Sequence, residues 1–310
     1  MSQLPTRPLG HSAIAVSTIG LGCNNFGRRL DLAQTRTVLD SALAAGINFL
    51  DTADRYGATL SEQYIGEVLQ GRRDEVILAT KFGLDLGDGW EGPRGGRSYI
   101  NRAIDNSLRR LHTEVIDLYW YHRPDGITPI AETLRALHEL VLAGKVRALG
   151  ASNFTAEQLR EADQVARAEG LTRFTALQNE YSLLVREPER ELLGLCAELE
   201  IAFIPYFPLA NGLLTGKYRR NSPAPVGSRL AEADQLATPE QWQTVERLAE
   251  FADAQGRPMT ELALGALLSR PAVTSVIAGA TSAEQVRANG AAGTAPLSAT
   301  ESAALWSLLG

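Results

Sequence analysis

Only two of the 310 residues are cysteine, Cys23 and Cys196. That is too few for a disulfide framework or a zinc ribbon, so a cytoplasmic protein without a structural metal is expected. Basic residues never run beyond pairs such as Arg219 and Arg220, and 30 Lys and Arg stand against 36 Asp and Glu for a net charge of −6. Nucleic-acid backbones call for a positive stripe, so they are excluded as partners. No run of about 18 uncharged apolar residues occurs, and Met1 to Pro8 contain no apolar signal core. Neither a membrane span nor secretion is expected. Histidine is scarce too: His11, His112, His122 and His138 show no paired ligand spacing, which argues against a metal-dependent hydrolase.

What the chain does have is apolar material, 45% against 21% charged, enough for a large buried core. Short apolar or β-branched runs at residues 18–22, 49–53, 76–81, 117–122, 148–152, 175–180, 202–207 and 274–279 alternate with amphipathic stretches. Most lack the polar alternation of a half-exposed strand, as strands covered on both faces should. Eight such βα units predict an α/β fold, a closed (β/α)8 TIM barrel forming one domain over residues 1–310. A short segment precedes the first strand, and a last helix is expected near 298–309. Helix starts are marked by Ser, Thr or Asp with Glu or Gln three residues on, at Asp31/Gln34, Thr59/Glu62, Thr155/Gln158, Thr238/Gln241, Ser282/Gln285 and Ser298/Glu301. Pro129 and Pro239 fit first helical positions. Two long stretches, 83–97 and 210–237, each follow a strand and so belong to the catalytic face of a barrel.

In a barrel the carboxyl ends of the strands surround the site, so the polar residues that close each apolar run are the informative ones. The second run ends at Asp51 with Tyr56 and Gly57 beyond it, the third at Lys81, the fourth at His122. An acid, a phenol, an amine and an imidazole share one mouth. A carbonyl that accepts a hydride becomes an alkoxide and needs a proton, and a tyrosine is a suitable donor only if a neighbouring cation lowers its pKa toward working pH. Lys81 supplies that charge, Asp51 keeps the buried lysine charged, and His122 orients the carbonyl oxygen. Each residue also has a plainer use: Asp51 as a turn cap, Tyr56 and Gly57 as loop, Lys81 and Asp51 as a structural pair.

The chain resembles the aldo-keto reductases. The resemblance rests on Asp51-Thr52-Ala53-Asp54-Arg55-Tyr56-Gly57 with Ser61, Glu62 and Gly66, on Ala79-Thr80-Lys81-Phe82-Gly83, and on Asp117 to Asp125 through His122. It continues in Gly144-Lys145-Val146-Arg147, Gly150 to Phe154, Gln178 to Tyr181, Pro208-Leu209 and Gly212 to Lys217. It implies a catalytic tetrad of Asp51, Tyr56, Lys81 and His122 with Tyr56 as general acid. It further implies reversible hydride transfer between NADPH or NADH and the carbonyl of an aldehyde or ketone.

The resemblance also places a nicotinamide on Ser152, Asn153, Gln178 and the aromatic Tyr206, and the rest of the cofactor along Pro208, Leu209, Gly212, Lys217, Gly279, Thr281, Gln285 and Asn289. The helix start at Ser282 suits a phosphate. From the residues alone, Ser152 and Asn153 read first as a helix cap and Tyr206 as a core position, and Gln285 equally suits the second half of a capping box. Two features depart from the family. Gly279, Ala280, Thr281 and Ser282 include no cation for a 2′-phosphate, leaving Arg287 or Lys217 to reach it, and Phe207 stands where relatives often have serine. Gly20-Leu21-Gly22 lacks the spacing of a dinucleotide fingerprint and marks the end of the first strand, with Asn24, Asn25 and Phe26 as substrate-lining candidates. Trp90 and Trp120 are further candidates. The alternatives are a Schiff-base lyase using Lys81 as nucleophile and a nicotinamide-binding regulatory subunit of slow turnover.

Overall fold

The computed structural model describes residues 4–226, 228, 230 and 237–310. It opens with an antiparallel hairpin, β1 (Thr6–Pro8) and β2 (Ala15–Ser17), in register Thr6 to Ser17. Eight parallel strands follow: β3 (Ile19–Gly22), β4 (Phe49–Asp51), β5 (Ile77–Phe82), β6 (Ile116–Tyr121), β7 (Val146–Ser152), β8 (Phe174–Gln178), β9 (Ala202–Phe203) and β10 (Val276–Gly279). They pair in chain order, with β10 beside β3. Backbone bonds close the ring: Ile277 N–H donates to Pro205 O at 3.0 Å, Phe203 N–H to Ala272 O at 2.9 Å and Thr274 N–H to Phe203 O at 3.0 Å. The helices are α1 (Leu32–Ala44), α2 (Leu60–Val68), α3 (Arg97–Arg110), α4 (Ile130–Leu142), α5 (Ala156–Glu169), α6 (Leu192–Glu198), α7 (Pro239–Ala254), α8 (Met259–Leu268), α9 (Ala283–Thr294) and α10 (Ala299–Leu309). The architecture is the (β/α)8 barrel.

The strands are buried because each has two apolar faces. In β6, Leu118 and Trp120 point into the barrel, while Tyr119 and Tyr121 join the outer core under the helices, a consequence of the two-residue period of a strand. Leu9, Ile14 and Val16 of the hairpin pack with the inward set, so the hairpin plugs the amino-terminal end of the barrel. Its strands are three residues long and one contains Pro8, too little pattern to be foreseen. Capping boxes form at Asp31, Thr155, Thr238 and Ser298. Pro239 opens α7, whereas Pro129 lies one place earlier than expected, at the cap of α4.

Thr59 does not cap its helix. Gly57, Ala58 and Thr59 all have positive φ (57°, 52° and 78°), and this left-handed run turns the Thr59 hydroxyl away from the helix amides. Glu62 is instead fully buried, accepting from Thr80 Oγ1 at 2.5 Å and Arg110 Nε at 2.6 Å. At Gly66 a Cβ would stand 2.4 Å from Arg110 O, so only glycine lets α2 lie this close to the end of α3.

Candidate active site

At the carboxyl ends of the strands lies a cavity of about 1130 Å³. Its position follows from the strand ends: Asp51 closes β4, His122 follows β6, Ser152 closes β7 and Gln178 closes β8. Tyr56 is held over this rim by the turn ending in Gly57, where a Cβ would come within 2.5 Å of Phe26 O. Glycine is needed there both for its φ and for that close approach.

Lys81 lies beneath the rim with no solvent exposure. Its Nζ donates to Asp51 Oδ2 at 2.6 Å, to Thr52 O at 2.8 Å and to Tyr56 Oη at 3.4 Å. Burial alone would lower the lysine pKa, but the Asp51 charge and the bonds to Asp51 and Tyr56 outweigh it, and the net direction is up. The ammonium is therefore charged at neutral pH. The other Asp51 oxygen accepts from Gln178 Nε2 at 3.1 Å, which fixes the carboxylate from both sides.

Tyr56 behaves differently from the expectation of a phenol drawn down toward neutrality. Burial raises its pKa, Lys81 opposes that rise, and burial wins. The resting phenol is thus fully protonated. His122 stands edge-on to Tyr56, ring centroids 6.1 Å apart. Burial, then the charges of Lys81, Arg55 and Arg123, push its pKa down to about 2. A neutral imidazole is a hydrogen-bond donor but a very weak acid.

The second half of the rim carries amides and hydroxyls. Asn153, at φ 59°, donates from Nδ2 to His122 O at 2.9 Å and accepts from Tyr206 Oη at 2.8 Å on Oδ1. Tyr206 packs edge-on against Phe207 at 5.1 Å. Ser152, Asn153, Gln178, Tyr206, Pro208, Leu209, Gly212, Lys217, Gly279, Thr281, Gln285 and Asn289 all line the cavity. Gly212, at φ 103°, lets Lys217 fold across it, since a Cβ there would lie 3.3 Å from Lys217 Cε. Ser282 caps α9 by accepting from Gln285 N–H at 3.3 Å, but Gln285 Oε1 accepts from Thr281 N–H at 2.8 Å, so the expected reciprocal box is only half formed. Arg287 is exposed and does not line the cavity. Of loop 210–237, residues 227, 229 and 231–236 lie outside the described residues.

The substrate-side expectations need correction. Asn25 lines the cavity and donates to Ala280 O at 3.2 Å. Phe26 does not: it is fully buried in the outer core. Trp120 fills the barrel interior below the mouth, fitting there because Gly150 faces it, where a Cβ would stand 2.2 Å from its ring. Trp90 packs on Tyr99 at 5.3 Å and under Arg102, away from the mouth. Arg28, Arg29, Arg55 and Arg123 line the cavity instead. Their signal was adjacency, since Arg55 precedes Tyr56 and Arg123 follows His122.

Asp54, between Asp51 and Tyr56, has no solvent exposure, and no side-chain donor of a described residue reaches its carboxyl. Burial and then the charge of Glu62 raise its pKa well above the ordinary value. A raised carboxyl pKa means that the fold binds a proton the unfolded chain releases, so stability falls as pH rises from about 4 toward the folded pKa. Asp54→Asn should flatten this slope and leave stability at pH 7 equal or higher by on the order of 1 kcal/mol, read by urea unfolding at pH 5 and pH 7. A loss of 2 kcal/mol or more would mean that the carboxylate is ionised and bonded.

Comparison with known proteins gives one consistent result. The family model described as the aldo/keto reductase family matches residues 18–309. The uncharacterized oxidoreductase YqkF of Bacillus subtilis (strain 168) is 36% identical over 287 residues, covering 91% of this chain and 89% of that protein. A probable voltage-gated potassium channel subunit beta of Oryza sativa subsp. japonica is 32% identical, with coverage of 91% and 88%. The L-glyceraldehyde 3-phosphate reductase of Escherichia coli (strain K12) is 33% identical, with coverage of 93% and 87%. An aldo-keto reductase from Bacillus halodurans, solved in its holo form, superposes with a TM-score of 0.82 at 34% identity, covering 99% of this chain and 96% of that one.

Proposed function

The chain belongs to the aldo/keto reductase family of oxidoreductases, and on that premise we propose that it catalyses NAD(P)H-dependent, reversible reduction of the carbonyl of a small aldehyde or ketone, with Tyr56 as general acid. The observation that carries the proposal is the line Asp51, Lys81, Tyr56, with contacts of 2.6 and 3.4 Å, opening on a cavity that also holds His122.

The lining suits a dinucleotide. Hydroxyl and amide groups at Ser152, Asn153 and Gln178 near Tyr56 match a carboxamide, while Lys217 and the amino-terminal end of α9 match phosphates at the far end. When bound, a reduced nicotinamide supplies a hydride to the carbonyl carbon. Neutral His122 orients the carbonyl oxygen, and Tyr56 gives that oxygen its proton. Lys81 Nζ then faces the phenolate left at Tyr56 Oη, and Asp51 keeps the lysine charged and in place. A lysine so held is a poor nucleophile, which weighs against the lyase. Initial rates with NADPH and with NADH over a panel of aldehydes and ketones test the reading. Tight cofactor binding with background turnover would instead favour the regulatory role that the name of the channel-subunit relative suggests.

Discrimination between NADPH and NADH should be modest, because Gly279 to Ser282 present only backbone amides, hydroxyls and the helix end to a 2′-phosphate. Thr281→Arg is expected to tighten NADPH by about 1–3 kcal/mol with NADH little changed, by fluorescence titration. A wild type that already prefers NADPH by several orders of magnitude would contradict this and point to Lys217, the cation that lines the cavity on this side.

A further inference from the structure

The cavity holds more positive charge than the proposed chemistry uses. Among the described residues, Arg28, Arg55, Arg123 and Lys217 line it, against a single lining carboxylate, Asp51, already answered by Lys81. The chain as a whole carries −6, so this concentration is local. Cofactor phosphates account for cations on the Lys217 side, where Thr281, Gln285 and Asn289 also lie. They do not account for Arg55 and Arg123, whose backbones adjoin Tyr56 and His122, the two residues that engage the carbonyl.

Neither of these guanidinium groups makes a hydrogen bond or ion pair with a described residue. Several arginines elsewhere in the chain are paired: Arg72 with Asp40, Arg73 with Asp117, Arg97 with Glu139 and Arg110 with Glu62. Asp85, whose carboxylate feels Arg55, is engaged by Arg94. Both Arg55 and Arg123 act on His122, lowering its pKa alongside burial and Lys81, so both stand at the carbonyl end of the cavity. A lone exposed arginine is ordinary solvated surface. Two of them flanking Tyr56 and His122, neither ion-paired with a carboxylate of a described residue, form a receptor for an anion.

Resting on the carbonyl-reductase reading, we propose that the preferred substrates are small aldehydes or ketones bearing an anionic group, a carboxylate or a phosphate, which Arg55 and Arg123 bind while Tyr56 and His122 engage the carbonyl. Each arginine is one residue, about 3.8 Å of backbone, from its catalytic neighbour. Short aldehydes with the anion near the carbonyl are therefore the substrates to try.

The test measures kcat/KM for two matched pairs, glyceraldehyde 3-phosphate against glyceraldehyde and succinic semialdehyde against butanal, in the wild type and in Arg55→Gln and Arg123→Gln. The readout is the ratio within a pair, because either guanidinium also acts on His122 whichever aldehyde is bound. The wild type should favour the anionic member of at least one pair by on the order of tenfold or more, and that pair identifies phosphate or carboxylate as the recognised group. Each variant should lower the ratio by on the order of tenfold, with cofactor Kd unchanged. Equal or better use of the neutral member in both pairs overturns the proposal, as do variants that leave the ratio untouched or that weaken cofactor binding alone. If none of the four aldehydes is consumed with either cofactor, it is the carbonyl-reductase reading that fails, and the proposal with it.

Discussion

Tyr56→Phe is expected to lower kcat for aldehyde reduction by about 10²–10⁴ while leaving nicotinamide affinity within a few-fold. The change removes one oxygen and nothing else. The ring keeps its edge-on contact with His122 and its place over the Lys81 ammonium, 4.9 Å from the ring centroid. His122 cannot take over the proton, because burial and three neighbouring cations hold it neutral. The loss should appear in kcat and in kcat/KM together, as for an interaction made only in the transition state. Wild-type kcat in the variant, with a primary deuterium effect showing that chemistry limits the rate, would remove Tyr56 from the role.

Lys81→Met should be the more damaging change, because it strikes stability and chemistry at once. Asp51 is 3% exposed, and without the ammonium it becomes a buried charge with only the Gln178 amide to answer it. Breaking one side of such a pair costs about 3–5 kcal/mol. Asp51→Asn combined with Lys81→Met removes the stranded charge and should recover much of the lost stability in urea unfolding. Activity should not recover, since nothing then stabilises the Tyr56 phenolate. If the double variant regains turnover along with stability, Lys81 is a structural partner and nothing more.

The barrel was legible because its strands are apolar on both faces, and because the boxes at Asp31, Thr155, Thr238 and Ser298 announce helix starts within four residues of sequence. The same rule misled at Thr59, where three successive positive φ values break the helix entry and Glu62 serves Arg110 instead. The run 202–207 reads as one strand, yet only Ala202–Phe203 pairs as one, and Phe207 already has a φ of 53°. Beyond that point the chain turns over the mouth.

At the site, the four polar groups could be read from strand ends because a barrel places every strand end on one rim, and the structure brings them together there. Aromatic residues carried no such signal. Trp120 is one residue out of phase with the outward-facing Tyr121 and so lies inside the barrel, and Trp90 hangs on a loop whose path depends on Tyr99 and Arg102. Arg55 and Arg123 were passed over because exposed arginines in loops are commonplace in any sequence. What sets them apart is that neither is ion-paired with a described residue, and only three dimensions show that.

The central claim is tested most directly by following the transferred atom. The protein is incubated with NADPH carrying deuterium at both C4 positions of the nicotinamide and an aldehyde, and the alcohol is examined by mass spectrometry. The same mixture without cofactor is treated with borohydride to trap any imine at Lys81. The account predicts one deuterium at the carbinol carbon and no adduct on Lys81. Alcohol without label, no alcohol at all, or substrate covalently attached to Lys81 would contradict it.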